Sequence, residues 1–273
     1  MKVHFAPAKI NLGLEIIRKR EDGYHLINSV FLPIPLYDEL SFAPADTVCI
    51  DCGSSVPADE SNLCIRAALA LKKELAVEQG IRVTLKKNIP IGAGLGGGSS
   101  DAATTLLALN EMWGINAPLE RLYSIAEKIG ADVPFFLSES AAIVGGIGEQ
   151  IQPVDFSLRY PLLLVCPDLH ISTAWAYSQV VCTPEKQETK YQNILGPDIP
   201  VTAFGQHFRN DFEQFIFPSY EELPSIKEQL LAAGAAFASL TGSGSGLYGI
   251  FDSPEKAALA RRSFDSYRTF LFH

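Results

Sequence analysis

The sequence predicts an α+β protein of two domains, and three observations carry that reading. Near the middle of the chain a strand pattern runs into a glycine-rich loop, and a helical pattern starts at once. The C-terminal part shows a β-α-…-α-β-β-α-β order, close to a ferredoxin-like split βαβ domain with an insertion. The chain has 273 residues, 47% of them hydrophobic, enough for one large or two ordinary domains with a sizeable core. Gly145-Gly146-Ile147-Gly148 and Pro153 read as a seam, so the expected domains are 1–152 and 153–273.

The central loop is Pro90-Ile91-Gly92-Ala93-Gly94-Leu95-Gly96-Gly97-Gly98-Ser99-Ser100, followed by Asp101. Before it, Ile81, Val83 and Leu85 alternate with Arg82, Thr84 and Lys86, a strand pattern. After it, Ala102, Ala103, Leu106, Leu107, Leu109, Met112 and Trp113 recur at helix spacing. Glycines let a backbone take positive φ and come close to a ligand, and free N–H groups then line a concavity at a helix start. A phosphate chain is the natural guest. No Gly-Lys-Ser/Thr follows, so this is not a Walker A loop, and no acidic residue stands where a dinucleotide fingerprint needs one. A mobile linker would not be clamped between a strand and an amphipathic helix. Asp101 suits the helix dipole but would repel a bare phosphate, and would sit better beside a metal-bound one.

Along the chain, Ile10, Leu12, Leu14 and Ile16 alternate with Lys9, Asn11, Gly13 and Glu15. This reads as a half-buried strand whose polar face carries Lys9 and Asn11, either solvated or turned to a ligand. Glu21-Asp22-Gly23 signals a hairpin turn, with Tyr24 and His25 beside it to stack on a ring or to pack the turn. Short strands are expected near 30–33, 39–42 and 48–51, then a helix from Asn62 stopped by Gly80. A further helix through Leu122 and Ile129 ends at Gly130, read as a C′ glycine. Asp132 precedes the apolar Val133-Pro134-Phe135-Phe136-Leu137; it is an N-cap, a carboxylate placed to accept a proton, or both. Beyond the seam, strands are expected at 161–165, 237–240, 247–251 and 267–272. Helices are expected after Ser172 or Thr173, over 208–217 and 226–233, and from Pro254, with 183–205 loop-like. A second glycine loop, Thr241-Gly242-Ser243-Gly244-Ser245-Gly246, is generous for a hairpin turn and reads as a backbone-first approach to a ligand.

The bulk numbers narrow the partners. Lys plus Arg is 22 and Asp plus Glu is 31, a net charge of −9, which argues against a nucleic-acid binder. No apolar run reaches the roughly 20 residues of a membrane span, and the N-terminus reads directly as strand. Nucleic acid and membrane are therefore not expected as partners; small-molecule substrates are what the resemblance described next implies. Five scattered cysteines suit reduced thiols in a cytoplasm. Cys49 and Cys52 form a C-x-x-C with no second pair or nearby histidine to complete a zinc site.

Taken together these pieces resemble the GHMP small-molecule kinases. The loop 90–100 is similar to the family's ATP loop, supported by Pro7-Ala8-Lys9-Ile10-Asn11-Leu12 and Thr241-Gly242-Ser243-Gly244 in family order and spacing. Asp22-Gly23-Tyr24-His25 and Gly130-Ala131-Asp132-Val133-Pro134-Phe135-Phe136 extend the resemblance over nearly the whole chain. It implies an S5-like N-terminal domain, a ferredoxin-like C-terminal domain, ATP as co-substrate and Mg²⁺ as phosphate counter-charge. The implied reaction is phosphorylation of the 2-hydroxyl of 4-diphosphocytidyl-2-C-methylerythritol in the non-mevalonate isoprenoid route. By the same resemblance Asp132 is the catalytic base and Lys9 its positive partner; Asn11, Tyr24, His25, Thr173, Tyr177, Gly242 and Ser243 bind substrate. Tyr177 stands where the family pattern has Phe, and no carboxylate is assigned to a metal. Rival readings are another GHMP kinase acting on homoserine, mevalonate or a sugar, a non-catalytic nucleotide sensor, and a Rossmann oxidoreductase.

Overall fold

The computed structural model describes residues 2–54, 56–138, 140–182, 188–196 and 198–273. Contacts group the chain into two compact units. The first contains Met1–Lys9, Pro33–Pro90 and Gly96–Glu139; the second contains Ile10–Leu32, Ile91–Leu95 and Ser140–His273. The units are not consecutive segments: two long strands and the glycine loop each pass from one to the other along the chain.

Those long strands are β1 (Val3–Lys19) and β2 (His25–Ala45). The separate strands expected near 30–33 and 39–42 are one strand of 21 residues. Pro33 and Pro35 lie within it. They fall between the register that β2 makes with one neighbour at 29–31 and with another at 39–45, so their missing N–H groups cost those ladders nothing. In the first unit β2 pairs antiparallel with β4 (Gly80–Lys86), and β4 pairs parallel with β3 (Val48–Asp51). Helix α1 (Leu63–Leu75) starts on Asn62, whose side chain accepts the Cys64 N–H, and ends on Ala76 at φ 53°. Gly80, expected as the stop, instead begins β4. Helices α2 (Gly97–Met112) and α3 (Leu119–Ile129) pack with α1 through buried Ala67, Leu71, Leu106, Leu109 and Ile125. Gly130 has φ −178°, ordinary extended backbone, so it does not end α3 as a left-handed cap.

In the second unit β5 (Ala142–Gly145) and β6 (Gln150–Pro153) form a hairpin, and β5 pairs with β2. The glycines that read as a seam belong to this hairpin and its turn. Next come β7 (Leu162–Cys166), α4 (Thr173–Ser178), α5 (Phe204–His207), α6 (Phe212–Ile216) and α7 (Glu222–Ala232). Then follow β8 (Phe237–Leu240), β9 (Leu247–Ile250), α8 (Pro254–Arg261) and β10 (Arg268–Phe272). The antiparallel sheet runs β10-β7-β9-β8, the strand order of a split βαβ fold. Its core gathers Leu163, Val165, Phe212, Ile226, Leu230 and Phe251.

Of the stretch expected to be loop-like, 183–187 and 197 lie outside the described residues. The described remainder is largely irregular and exposed, with short 3-10 turns at Tyr191–Asn193 and Val201–Ala203 leading into α5 and with Tyr191, Val201 and Phe204 buried as anchors. Tyr191 is fully buried over β1, where a Cβ on Gly13 would come within 2.5 Å of its hydroxyl. The helix expected over 208–217 is shorter, because Asn210 is committed elsewhere. Its Nδ2 donates to the Leu240 and Gly242 carbonyls and its Oδ1 caps Phe212.

Candidate active site

The first unit carries Lys9 and Asp132. Lys9 and Asn11 do not lie on a solvated strand face: they are 3% and 1% exposed. Lys9 Nζ stands 3.8 Å from Oδ2 of Asp132, whose side chain is one-third exposed. Burial makes the Lys9 ammonium give up its proton more readily than usual, and the Asp132 charge opposes that. Asp132 does not cap the turn after it. The 3-10 turn Pro134–Leu137 starts from Val133 with no side-chain cap, and the Pro134 ring supplies no N–H to cap. The apolar run instead shapes the wall, since Phe136 packs against Gly96.

Gly96 heads α2 at φ 70°, and no side chain caps that helix start. The first N–H groups of α2 are left without an intrahelical partner, the arrangement that receives anions. Ser100 Oγ, fully buried in this first turn, also has no hydrogen-bond partner. A Cβ on Gly96 would meet Phe136 Cζ at 2.8 Å and Lys9 Cε at 3.2 Å, so this glycine brings the lysine to the helix start. Asp101 has its charge answered within the protein rather than by a metal-borne phosphate: its Oδ2 is 2.7 Å from Lys87 Nζ.

The second unit holds the start of the loop and the remaining candidates. Here the two glycine loops approach each other rather than leaving both backbones bare. A Cβ on Gly94 would stand 2.1 Å from the Thr241 carbonyl, and one on Gly242 would stand 3.1 Å from the Gly94 carbonyl. Ser245 and Gly246 donate their N–H groups to the Gly92 and Ala93 carbonyls. Thr241 Oγ1 donates to the Gly94 carbonyl and accepts from the Asn11 N–H. Asn11 is held further by Nδ2 on Ser29 Oγ, and its carbonyl accepts the Tyr248 hydroxyl. Thr241, Ser29 and Tyr248 therefore support the site, although only Thr241 stood in a motif; an isolated Ser or Tyr in a strand carries no local signal.

His25 and Tyr177 stack with ring centroids 5.1 Å apart and planes 20° from parallel, and Tyr177 also meets Phe212 edge-on at 4.9 Å. His25 Nε2 is buried without a partner, and burial holds the imidazole pKa below its usual value. Tyr24 points outward, 59% exposed. Thr173 and Ser243 share a hydroxyl–hydroxyl contact of 3.1 Å. The structure thus joins Lys9 with Asp132, His25 with Tyr177, and Thr173 with Ser243, and leaves Tyr24 apart from these pairs.

A pair of family models matches the two halves of this arrangement: GHMP kinases N terminal domain over residues 62–140, and GHMP kinases C terminal over residues 201–268. The chain belongs to the GHMP kinase family, and its α+β fold is the two-domain fold of that family. Within it, the chain is 45% identical over 268 residues to the 4-diphosphocytidyl-2-C-methyl-D-erythritol kinase of Chlorobium chlorochromatii (strain CaD3), covering 96% of this chain and 93% of that one. It is 45% identical over 276 residues to the protein of the same name from Chlorobium limicola (strain DSM 245 / NBRC 103803 / 6330), covering 96% and 93%. A solved 4-(cytidine 5'-diphospho)-2C-methyl-D-erythritol kinase superposes with a TM-score of 0.80 at 33% identity, covering 99% of this chain and 98% of that one. A homoserine kinase from Cytophaga hutchinsonii shares the fold at a TM-score of 0.71 and 20% identity, covering 99% and 92%.

Proposed function

We propose that this chain transfers the γ-phosphoryl group of ATP to the 2-hydroxyl of 4-diphosphocytidyl-2-C-methyl-D-erythritol. The observation that carries the mechanism is the Lys9–Asp132 pair beside Gly96, where a base and a cation stand at an uncapped helix start. Asp132 takes the hydroxyl proton as the alkoxide oxygen bonds to the γ-phosphorus. The bond from that phosphorus to the β–γ bridging oxygen breaks, and ADP leaves with the electron pair. Lys9 orients the attacking oxygen and offsets charge on the transferring group, positioning and charge being what phosphoryl transfer chiefly asks of a protein. The N–H groups of residues 96–100 hold phosphate oxygens, with Ser100 Oγ as a further donor. Recognition of the cytosine falls to the His25–Tyr177 stack, whose unpartnered Nε2 is free to meet a polar edge of the base. We also assign substrate contacts to Asn11, Thr173, Gly242 and Ser243, as the resemblance to the family implies.

Among the described residues no group of three His, Cys, Asp or Glu side chains is placed to hold a metal by itself. Mg²⁺, which the family resemblance implies, would be borne mainly by the nucleotide phosphates and would neutralise developing charge there. No helix among the described residues is long and apolar enough to cross a membrane. We place the protein in the cytoplasm with its small-molecule substrates. We also retain 1–152 and 153–273 as the domain division, with one family model on either side.

The test is an ATP-coupled assay against a panel of alcohols. Turnover is expected with the cytidylyl substrate; turnover confined to homoserine, mevalonate or a sugar would move the chain to another branch of the family. Tyr177→Ala is expected to weaken the cytidylyl substrate by about 1–3 kcal/mol, the usual loss for one base–aromatic stack, with the KM for ATP unmoved. Equal loss for both substrates would mean that Tyr177 only packs against Phe212.

A further inference from the structure

Beneath the start of α2 lies a buried charge cluster that the transfer chemistry does not use. Lys87, at the exit from β4, sets its Nζ 2.7 Å from Oδ2 of Asp101 in the first turn of α2, and also against Oδ2 of Asp38 from β2. The other oxygen of Asp38 accepts the N–H groups of Asn88 and Ile89, at 2.6 and 2.9 Å. The residues just before the glycine loop and those just after it are therefore held from one point. All three charged side chains are buried: 0% exposed for Asp38, 8% for Lys87 and 4% for Asp101. A Cβ on Gly97 would come within 3.2 Å of Lys87 Nζ, so part of the glycine run serves to admit this ammonium.

Such a cluster is an expensive way to fill space. A cation beneath a helix N-terminus opposes the helix dipole. Buried ion pairs are commonly no more stabilising than well-packed apolar groups of the same volume. What the cluster supplies, and an apolar core would not, is directional bonding that ties the exit of β4 to the first turn of α2. We propose that Asp38, Lys87 and Asp101 are positioning residues: they hold the N–H groups at the start of α2 in their binding arrangement before the nucleotide arrives, and so set nucleotide affinity without touching the nucleotide. An arrangement formed in advance spares the ordering that binding would otherwise require. The inference rests on the kinase reading of the loop.

The groups facing the Asp101 carboxyl are Lys87 from the exit of β4, Asp38 from β2 and the Cys64 thiol from α1. Burial, opposed by Lys87 and reinforced by Asp38, brings the Asp101 pKa up to about 7. Asp101→Asn therefore mimics the protonated side chain.

The experiment measures Kd for MgATP by titration calorimetry, kcat and KM for both substrates, and amide exchange of residues 92–100 in the nucleotide-free protein. It compares the natural chain with Asp101→Asn, which keeps the Lys87–Asp38 pair, and with Lys87→Met/Asp101→Asn, which removes the ion pair and leaves Asp38 only its two backbone N–H donors. At about pH 8, Asp101→Asn should weaken MgATP by about ten-fold, the scale of one lost hydrogen bond. kcat at saturating ATP and KM for the alcohol should stay within about two-fold, and Lys87→Arg should keep most of the affinity. The Kd ratio of variant to natural chain should fall toward one at about pH 6, where the natural Asp101 is itself protonated; the titration of ATP cancels in that ratio. Exchange at 92–100 should quicken in the variants. A folded Asp101→Asn protein with unchanged Kd and unchanged exchange overturns the proposal, as does a loss that falls on kcat alone. Quickened exchange in a chain whose natural form binds no MgATP would uphold the clamp and sink the kinase reading instead.

Discussion

Two lysine–aspartate sites stand on neighbouring glycines, Lys9 with Asp132 by Gly96 and Lys87 with Asp101 by Gly97, and they behave oppositely. In the first, the charges are 3.8 Å apart and the carboxylate is 34% exposed. In the second, they are 2.7 Å apart, a further carboxylate from Asp38 joins them, and each side chain is at most 8% exposed. Burial costs Lys87 proton affinity as it does Lys9. Two carboxylates outweigh that cost at Lys87 and leave its pKa raised, whereas one more distant carboxylate leaves that of Lys9 lowered. On the function proposed for each, the same pair of residue types serves as a reactive site when loose and partly open, and as a fastening when closed and over-neutralised. Chemistry needs a carboxylate that a substrate hydroxyl can reach; holding a loop needs one that nothing can reach.

The contrast is sharpest in what each lysine does for stability. Lys87→Met leaves two buried carboxylates without their cation, and should cost about 3–5 kcal/mol in a denaturant titration. A loss under about 1 kcal/mol would show that water enters the cluster, and the distinction between the two sites would fall. At the open site the effect should appear in rate. Asp132→Asn is expected to lower kcat by about 10²-fold or more with MgATP affinity nearly intact, as general-base catalysis commonly supplies that much. A folded variant that keeps over about half its turnover would remove Asp132 from the chemistry.

A smaller effect separates the sites by pH. Asp101 has a folded pKa of about 7, above the roughly 3.9 of an unfolded aspartate, so the native state binds the extra proton between those values. Its contribution to stability should therefore fall as pH rises from about 4 to about 7 and stay level above that. Asp101→Asn should remove that slope from the melting temperature; an unchanged slope would mean that the carboxyl is better hydrated than its burial indicates. The smallest stability effect is expected for Lys9→Met, within about 1 kcal/mol, because its partner Asp132 stays partly hydrated when the ammonium is lost. Its kcat should nevertheless drop. A melting temperature that falls as far as in Lys87→Met would make both lysines structural.

The glycines also divide into kinds. Gly94 and Gly96 both have positive φ and no room for a side chain, so substitution there tests packing as much as phosphate binding. Gly98 meets only Leu63 at 3.6 Å, an ordinary contact, which makes Gly98→Ala the gentler probe of the helix start.

Read from the sequence alone, the strand–loop–helix unit and the split βαβ order were legible. Both depend on contiguous patterns: glycine runs, alternation and helical spacing. The partnership of Lys9 with Asp132, which stand far apart in the chain, came only from the resemblance to the family. Tertiary structure decided the rest. Lys9 and Asn11 looked like one face of a half-exposed strand, yet both are buried, because alternation reports the two faces of a strand and not what covers them. The second glycine loop turned out to face the first, since a Cβ at Gly94 would strike the carbonyl of Thr241, far along the chain. Asp38, Lys87 and Asp101 sit in three separate segments, each ordinary in its own context. Only when β2, β4 and α2 come together do their charges leave water, and that loss of solvent turns three common surface residue types into one buried cluster.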